Sequence, residues 1–253
     1  MANVKITAVS YLNTIPFLYG IRHSAVADAI DMTIDTPAVC AQQLASGQTD
    51  VSLVPVAAIP GMPYYQYAGN FCIGAVGKVR SVALFTNTGL QNLKTVYLDA
   101  ESRTSVMLAR VLARNYWKIE PTFKPFFGKK INDHEGCVLI GDKALRHEGL
   151  YTHRYDLAEA WIQYTGMPFA FAAWTANKPL PASFLDAFNE ALDYGVRHIP
   201  QALDRHWKDA DSALPCPYNT ALEYLQSNIH YPFDEAKKSG VTKFWNLLND
   251  FAV

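Results

Sequence analysis

A chain of 253 residues, half of them hydrophobic and 18% charged, can bury a substantial core in one large domain or two modest ones. Its 22 Lys and Arg against 23 Asp and Glu leave a formal net charge of -1, which removes the electrostatic reason to expect nucleic acid or an anionic membrane as partner. No run of about 18 apolar residues occurs, so no membrane span is expected. The opening "MANVKITAV" reads as a strand rather than a secretory signal, which makes the cytoplasm the expected compartment. Cys40, Cys72, Cys137 and Cys216 are scattered, without a C-x-x-C, and read as buried thiols. The seven histidines match no metal spacing such as H-E-x-x-H, so no metal is expected.

In chain order, "VKITAVS" alternates as a strand, and "IPFLYGI" begins a short helix behind a proline. "DMTIDT" is the next strand, followed by "PAVCAQQLASGQTD", a helix opened by Pro37 and closed by Gly47. "VSLVPVAAI" is an apolar strand running into a loop punctuated by Pro55, Pro60, Gly61 and Pro63. "FCIGAVGKVRSVALFTN" supplies one or two strands, with Gly74 and Gly77 between them. "KTVYLDA" starts a fresh strand, and "SRTSVMLARVLARNYW" an amphipathic helix with Val106, Leu108, Val111 and Leu112 on or near one face. "CVLIGDKALR" repeats strand, tight turn and helix. "YDLAEAWIQYTG" is helical, "PFAFAAWTA" is a strand, and the remaining residues read as helical.

Strands alternating with helices predict an α/β fold with mainly parallel sheets flanked by helices. The pattern restarts near Lys94, which divides the chain into one lobe of 1–84 plus 175–253 and an inserted lobe of 85–174. "SVALFT" and "PFAFAAW" are the strands expected to cross between them.

In such a fold, ligands sit beyond the carboxyl ends of the strands, where free N–H groups of helix starts favour anions. Three turns there are rich in small polar residues. In the first, Ser10, Tyr11, Asn13 and Thr14 offer several hydrogen-bonding groups, although Ser, Asn and Thr are also ordinary helix caps. In the second, Ser102, Thr104 and Ser105 could cradle a carboxylate. Capping explains one hydroxyl well and three poorly; Arg103 points to solvent by default. In the third, Gly141 permits a tight turn and Asp142 opens a helix, where a negative charge is favourable without any ligand. Ser81, after Arg80 in an expected crossing strand, is a further candidate to face the cleft. There is no G-x-S-x-G, P-loop or G-x-G-x-x-G, which argues against serine esterase, NTPase and dinucleotide chemistry. The residues by themselves describe a two-lobed α/β protein that closes on a small anion.

Seven segments in order, "VSYLNTIPF", "TDVSLVPVAAI", "GKVRSVALFT", "DAESRTS", "LIGDKAL", "YDLAEAW" and "TGMPFAFAAW", resemble the chorismate dehydratase family of menaquinone biosynthesis over roughly residues 4–175. Residues 176–253 carry no matching motif. The resemblance implies the type-2 periplasmic binding protein fold, with a cleft between two lobes. It also implies a cytoplasmic enzyme, with a homodimer compatible, that converts chorismate to 3-[(1-carboxyvinyl)oxy]benzoate and water without a metal or redox cofactor. By the same resemblance Asn13 and Ser81 are the reacting-end residues, and either could donate to the leaving oxygen. Thr104 and Ser105 would hold a carboxylate, with Ser10, Tyr11, Thr14, Ser102, Gly141 and Asp142 completing the substrate contacts. No protein base is evident, and the substrate's own carboxylate is a candidate for that role. The rival readings are a solute-binding protein for a small carboxylate and the sister lyase that forms 1,4-dihydroxy-6-naphthoate, whose opening turn differs from "SYLNT".

Overall fold

The computed structural model describes residues 3–128, 130–209 and 214–251. Along the chain come β1 (Val4–Val9), α1 (Ile15–Arg22), β2 (Ile30–Asp35), α2 (Pro37–Ala45), β3 (Val51–Pro55) and β4 (Gln66–Ala75). Next are β5 (Val82–Thr86), β6 (Thr95–Leu98), α3 (Arg103–Leu112), β7 (Thr122–Pro125), β8 (Glu135–Ile140), α4 (Gly141–Arg146), β9 (His153–Asp156) and α5 (Leu157–Thr165). β10 (Phe169–Ala176) precedes α6 (Ala182–Arg197), α7 (Ile199–Asp209), α8 (Tyr218–Glu223) and α9 (Glu235–Leu248).

The strands form two five-stranded sheets of the same plan, ordered β2-β1-β3-β10-β4 and β7-β6-β8-β5-β9. In each, three strands pair in parallel, and a fourth runs antiparallel to both its neighbours. The sheets are thus mainly parallel, as expected, with one reversed strand apiece. That reversed strand (β10 in the first sheet, β5 in the second) is the one whose chain has just arrived from the other sheet. Neither crosses between lobes: β5 belongs whole to the second sheet and β10 whole to the first. The expected boundaries at 84/85 and 174/175 therefore cut through strands. The changeovers fall between β4 and β5 and between β9 and β10.

Central strands are the apolar ones. Every residue of β3 and β5 is buried, as are the last five of β8, which is what helices on both faces require. The edge strands β2 and β7 are largely exposed. "QYAGNFCIGA" is one continuous strand with Gly74 inside it, so the break falls later, at residues 76–81. Helix α1 lies against α6 through glycine. A Cβ on Gly20 would stand 1.9 Å from the Ala191 carbonyl oxygen, and one on Gly195 1.9 Å from that of Pro16.

Among the described residues the carboxyl-terminal region is mostly helical and includes an extended strap at residues 229–234. The strap lies along β4, with Tyr231 O accepting from Cys72 N–H (2.7 Å) and Gly74 O accepting from His230 N–H (2.8 Å). Phe17 packs edge-on against Tyr231 and Trp174, 5.2 and 5.9 Å between ring centroids. Beneath the strap, the fully buried Lys237 Nζ donates to Pro232 O (2.7 Å) and pairs with Asp234 (3.2 Å). The strap and its buried aromatics bind this region to the first sheet and bring α8 back over the connection between the lobes.

Candidate active site

Where β1, β3 and β8 end and α3 begins, a cavity lies between the two sheets, the position the fold makes available for a ligand. Its polar lining is Tyr11, Asn13, Ser81, Ser102 and Ser105, set among apolar residues such as Leu53, Ile73 and Phe171. The lining includes no Asp, Glu, His, Lys or Arg. Its volume is about 50 Å³, room for a few waters and far below the roughly 300–1,000 Å³ of a pocket that takes a small organic ligand. A ring-sized ligand needs more room than this cavity provides.

Asn13 and Ser81, 68 positions apart in the sequence, are joined by a third residue. Asn13 Nδ2 donates to the Tyr224 hydroxyl (3.1 Å), which donates to Ser81 Oγ (2.8 Å). All three side chains are buried. Burial pushes the Tyr224 phenol well above its ordinary range, opposed by its hydrogen bonds to Ser81 and Asn13, so it stays protonated. Tyr231 adds a second hydroxyl, donating to the Asn13 carbonyl (3.3 Å). Thr14 stands at the N-cap of α1, but neither it nor Asn13 makes a side-chain cap bond at this turn. Thr14 sits behind Asn13, its hydroxyl 3.4 Å from Asn13 Oδ1.

The backbone that carries Ser81 is strained. Ser81 N–H donates to Val79 O (2.8 Å), and the residue between, Arg80, has φ of 67°. That combination is the rarer kind of γ-turn. A left-handed residue with a side chain persists only where its surroundings hold it. Here Asp156 accepts from the N–H groups of Val79 (3.2 Å) and Arg80 (2.7 Å), while Glu148 takes the Arg80 guanidinium through two nitrogens. Asp156 also caps α5 through Ala158 and Glu159 N–H. Burial raises its carboxyl, opposed by the N–H donors of Arg80, Glu159 and Val79 and by the Arg154 charge.

In the second polar turn, Ser102 caps α3 by accepting from Ser105 N–H (3.0 Å), and its own hydroxyl donates to Ser105 Oγ (2.8 Å). Both serines line the cavity. Thr104 does not: its Oγ1 accepts from Ala57 N–H (3.1 Å), tying α3 to the segment after β3. Arg103 is exposed, as expected.

Gly141, at φ 53°, lies under the Tyr11 ring, where a Cβ would stand 2.7 Å away. The Tyr11 hydroxyl donates to Glu101 (2.8 Å), which pairs with Lys143 (2.8 Å). Tyr11 thus bridges the first lobe to the second over the cavity. Asp142 does not line the cavity: it accepts from Leu12 N–H (3.0 Å), and burial raises its carboxyl against that hydrogen bond. Ser10 is exposed, outside the cavity. Both border a surface groove of about 350 Å³ that shares Val9 and Tyr11 with the cavity and adds Arg22, Arg146 and His206.

Of the residues expected at the site, Tyr11, Asn13, Ser81, Ser102, Ser105 and Gly141 come together around one cavity. Ser10, Thr14, Thr104 and Asp142 do not. Tyr224 and Asp156 were missed: the one reads as a core aromatic of an amphipathic helix, the other as a helix cap. Tyr64 and Tyr65 are largely exposed, and Trp174 is core, packed against Phe17 and Phe188.

Cys40, Cys72, Cys137 and Cys216 form no disulfide; burial pushes the first three thiols up to about 12, 12 and 11. Among the described residues no group of three or more His, Cys, Asp or Glu is placed to hold a metal ion. Among the same residues no helix is long and apolar enough to cross a membrane.

The chain resembles known proteins along its whole length. The structure of AF1704 from Archaeoglobus fulgidus superposes with a TM-score of 0.76 at 11% identity, covering 98% of this chain and 97% of that one. The Candida albicans CA3427 gene product, described as having the generic periplasmic binding protein fold, gives 0.66 at 11% identity over 100% and 92% of the two chains. The aliphatic sulphonate binding protein SsuA of Escherichia coli gives 0.63 at 13% identity over 99% and 93%. These likenesses establish a periplasmic-binding-protein-like fold. In sequence, the chorismate dehydratase of Thermus thermophilus is 26% identical over 200 residues, covering 71% of this chain and 72% of that protein. The profile of the VitK2_biosynth family, described as menaquinone biosynthesis, matches residues 4–250, and the chain belongs to that family.

Proposed function

We propose that the protein is a chorismate dehydratase, removing water from chorismate to give 3-[(1-carboxyvinyl)oxy]benzoate in the futalosine route to menaquinone. The observation that carries this reading is a cavity with no charged lining in which Asn13 and Ser81 converge through one shared hydrogen-bond partner, in a chain of the menaquinone biosynthesis family. A cytoplasmic setting goes with it.

The chemistry suits such a site. Chorismate aromatises when its ring hydroxyl and the hydrogen on the adjacent ring carbon leave together as water, so no strong acid is needed. The protein must orient the ring, assist the departing hydroxyl and suppress competing rearrangement. Asn13 and Ser81 supply hydrogen-bond donors at the reacting end. Ser105, Ser102 and the N–H groups at the start of α3 hold a carboxylate from the second lobe. With no carboxylate or imidazole in the lining, the substrate's own carboxylate takes the ring proton. Lobe closure expels water and joins the two halves of the site.

Purified protein incubated with chorismate, without added metal or nucleotide, should yield a product lighter by one water, and Asn13→Ala should not. Intact chorismate with tight, saturable binding would make the protein a carboxylate receptor. Neither turnover nor binding would turn attention to the sister naphthoate-forming lyase and its substrate.

A further inference from the structure

Tyr224 comes from the region of the chain where the sequence carries no motif, and it stands between the two residues nearest the chemistry. We infer that Tyr224 is a positioning residue for the dehydration: it fixes the direction of the hydrogen bonds so that Ser81 presents its hydroxyl hydrogen to the leaving oxygen. The inference rests on the dehydratase reading and goes beyond it by assigning the donor.

The argument is a count of hydrogens. An amide nitrogen only donates, and a phenol has one hydrogen. The Tyr224 oxygen receives a hydrogen from Asn13 Nδ2, so its own hydrogen goes to Ser81 Oγ. Ser81 Oγ is thereby occupied as an acceptor, and its hydrogen is left for the cavity that it lines. Thr14 supports this direction by donating to Asn13 Oδ1, which turns the amide nitrogen toward Tyr224. Asn13 keeps one amide hydrogen for the ligand. A chain of hydrogen bonds polarises each member in turn, so Ser81 at its end is a better donor than an isolated serine.

The element that carries Tyr224 grips the strained turn at three points. Glu223 pairs with Arg80 (3.7 Å), Tyr224 donates to Ser81, and Asn228 Nδ2 donates to Lys78 O (3.1 Å). Between Tyr224 and Asn228 the helix widens to a π-turn, a distortion often found at functional sites.

A double-mutant cycle measured on chorismate tests the inference. Tyr224→Phe should lower kcat roughly tenfold to a hundredfold with KM within about threefold, while Ser81→Ala lowers kcat by about 100- to 1,000-fold. If Tyr224 acts through Ser81, adding Tyr224→Phe to Ser81→Ala costs nothing further. An unchanged kcat in Tyr224→Phe, or a double variant whose loss is the product of the two single losses, overturns the inference. Should Tyr224→Phe not fold, trifluorotyrosine at position 224 keeps the ring and makes the phenol more acidic. The rate should then fall at alkaline pH as that phenol ionises, and a profile unchanged from wild type overturns the inference. An active wild type with an additive cycle removes the role of Tyr224 alone; a wild type inert toward chorismate removes the dehydratase reading and this one together.

Discussion

Two serines face the same cavity and are oriented by opposite strategies. Ser105 takes its hydrogen bond from Ser102, three residues earlier at the cap of the same helix, so the pair forms whenever this α3 does. Ser81 takes its bond from Tyr224, 143 positions away, on a turn with a left-handed arginine held by Asp156 and Glu148. A local device is simple to build and tolerant of change elsewhere. A long-range device depends on the first sheet, the second sheet and the carboxyl-terminal strap all being in place. The difference separates holding from reacting: the self-contained pair suits a carboxylate anchor, while the pair assembled from distant parts becomes complete only when the whole protein is folded.

That contrast can be sharpened or broken by substitution. The largest effect is expected for Asn13→Asp, in which a carboxylate replaces the donor to Tyr224. Turnover should fall about 100- to 1,000-fold while chorismate still binds, as measured by steady-state kinetics beside calorimetry; unchanged turnover would remove Asn13 from the mechanism. Next is Asp156→Ala, which removes the acceptor from four N–H groups, two at the Ser81 turn and two at the start of α5. It should lower stability by about 2–4 kcal/mol, read from the urea midpoint, and lower kcat as well. Ser105→Ala belongs to the holding side: KM should rise about tenfold, equivalent to roughly 1.4 kcal/mol of binding, with kcat within about threefold. A Ser105 variant that lost kcat instead would erase the distinction.

The smallest effect is a pH dependence of the tie over the cavity. Burial alone would raise the Glu101 carboxyl, but Lys143 and the Tyr11 hydroxyl hold it below its usual 4.5. A lowered folded value means stability present above 4.5 and lost as pH falls below it. Wild type should therefore lose slightly more stability than Glu101→Gln on acidification through that range. Solvent screening at this half-exposed pair keeps the difference to about 0.5 kcal/mol, measurable by thermal melts across pH.

The same contrast decides what could be read from the chain. Strands buried on both faces announced themselves through apolar runs, and α3 through its period. β7 and β9 did not: they are four-residue edge strands, "TFKP" and "HRYD", too short and polar to alternate. The serines of α3 were legible with one excess. Residues three apart share a helix face, so Ser102 and Ser105 turn to the cavity together while Thr104 turns away to Ala57; the helical period already contained that distinction. Tyr224 was out of reach, because "ALEYLQSN" reads as one more amphipathic helix and nothing local links it to positions 13 and 81.

The most direct test of the account is to measure chorismate binding and single-turnover chemistry on Ser81→Ala. Binding within about threefold of wild type with chemistry slowed at least about 100-fold is the predicted result. Chemistry at the wild-type rate, or the loss of binding with the rate of bound substrate unchanged, would contradict the claim that Ser81 donates to the leaving oxygen.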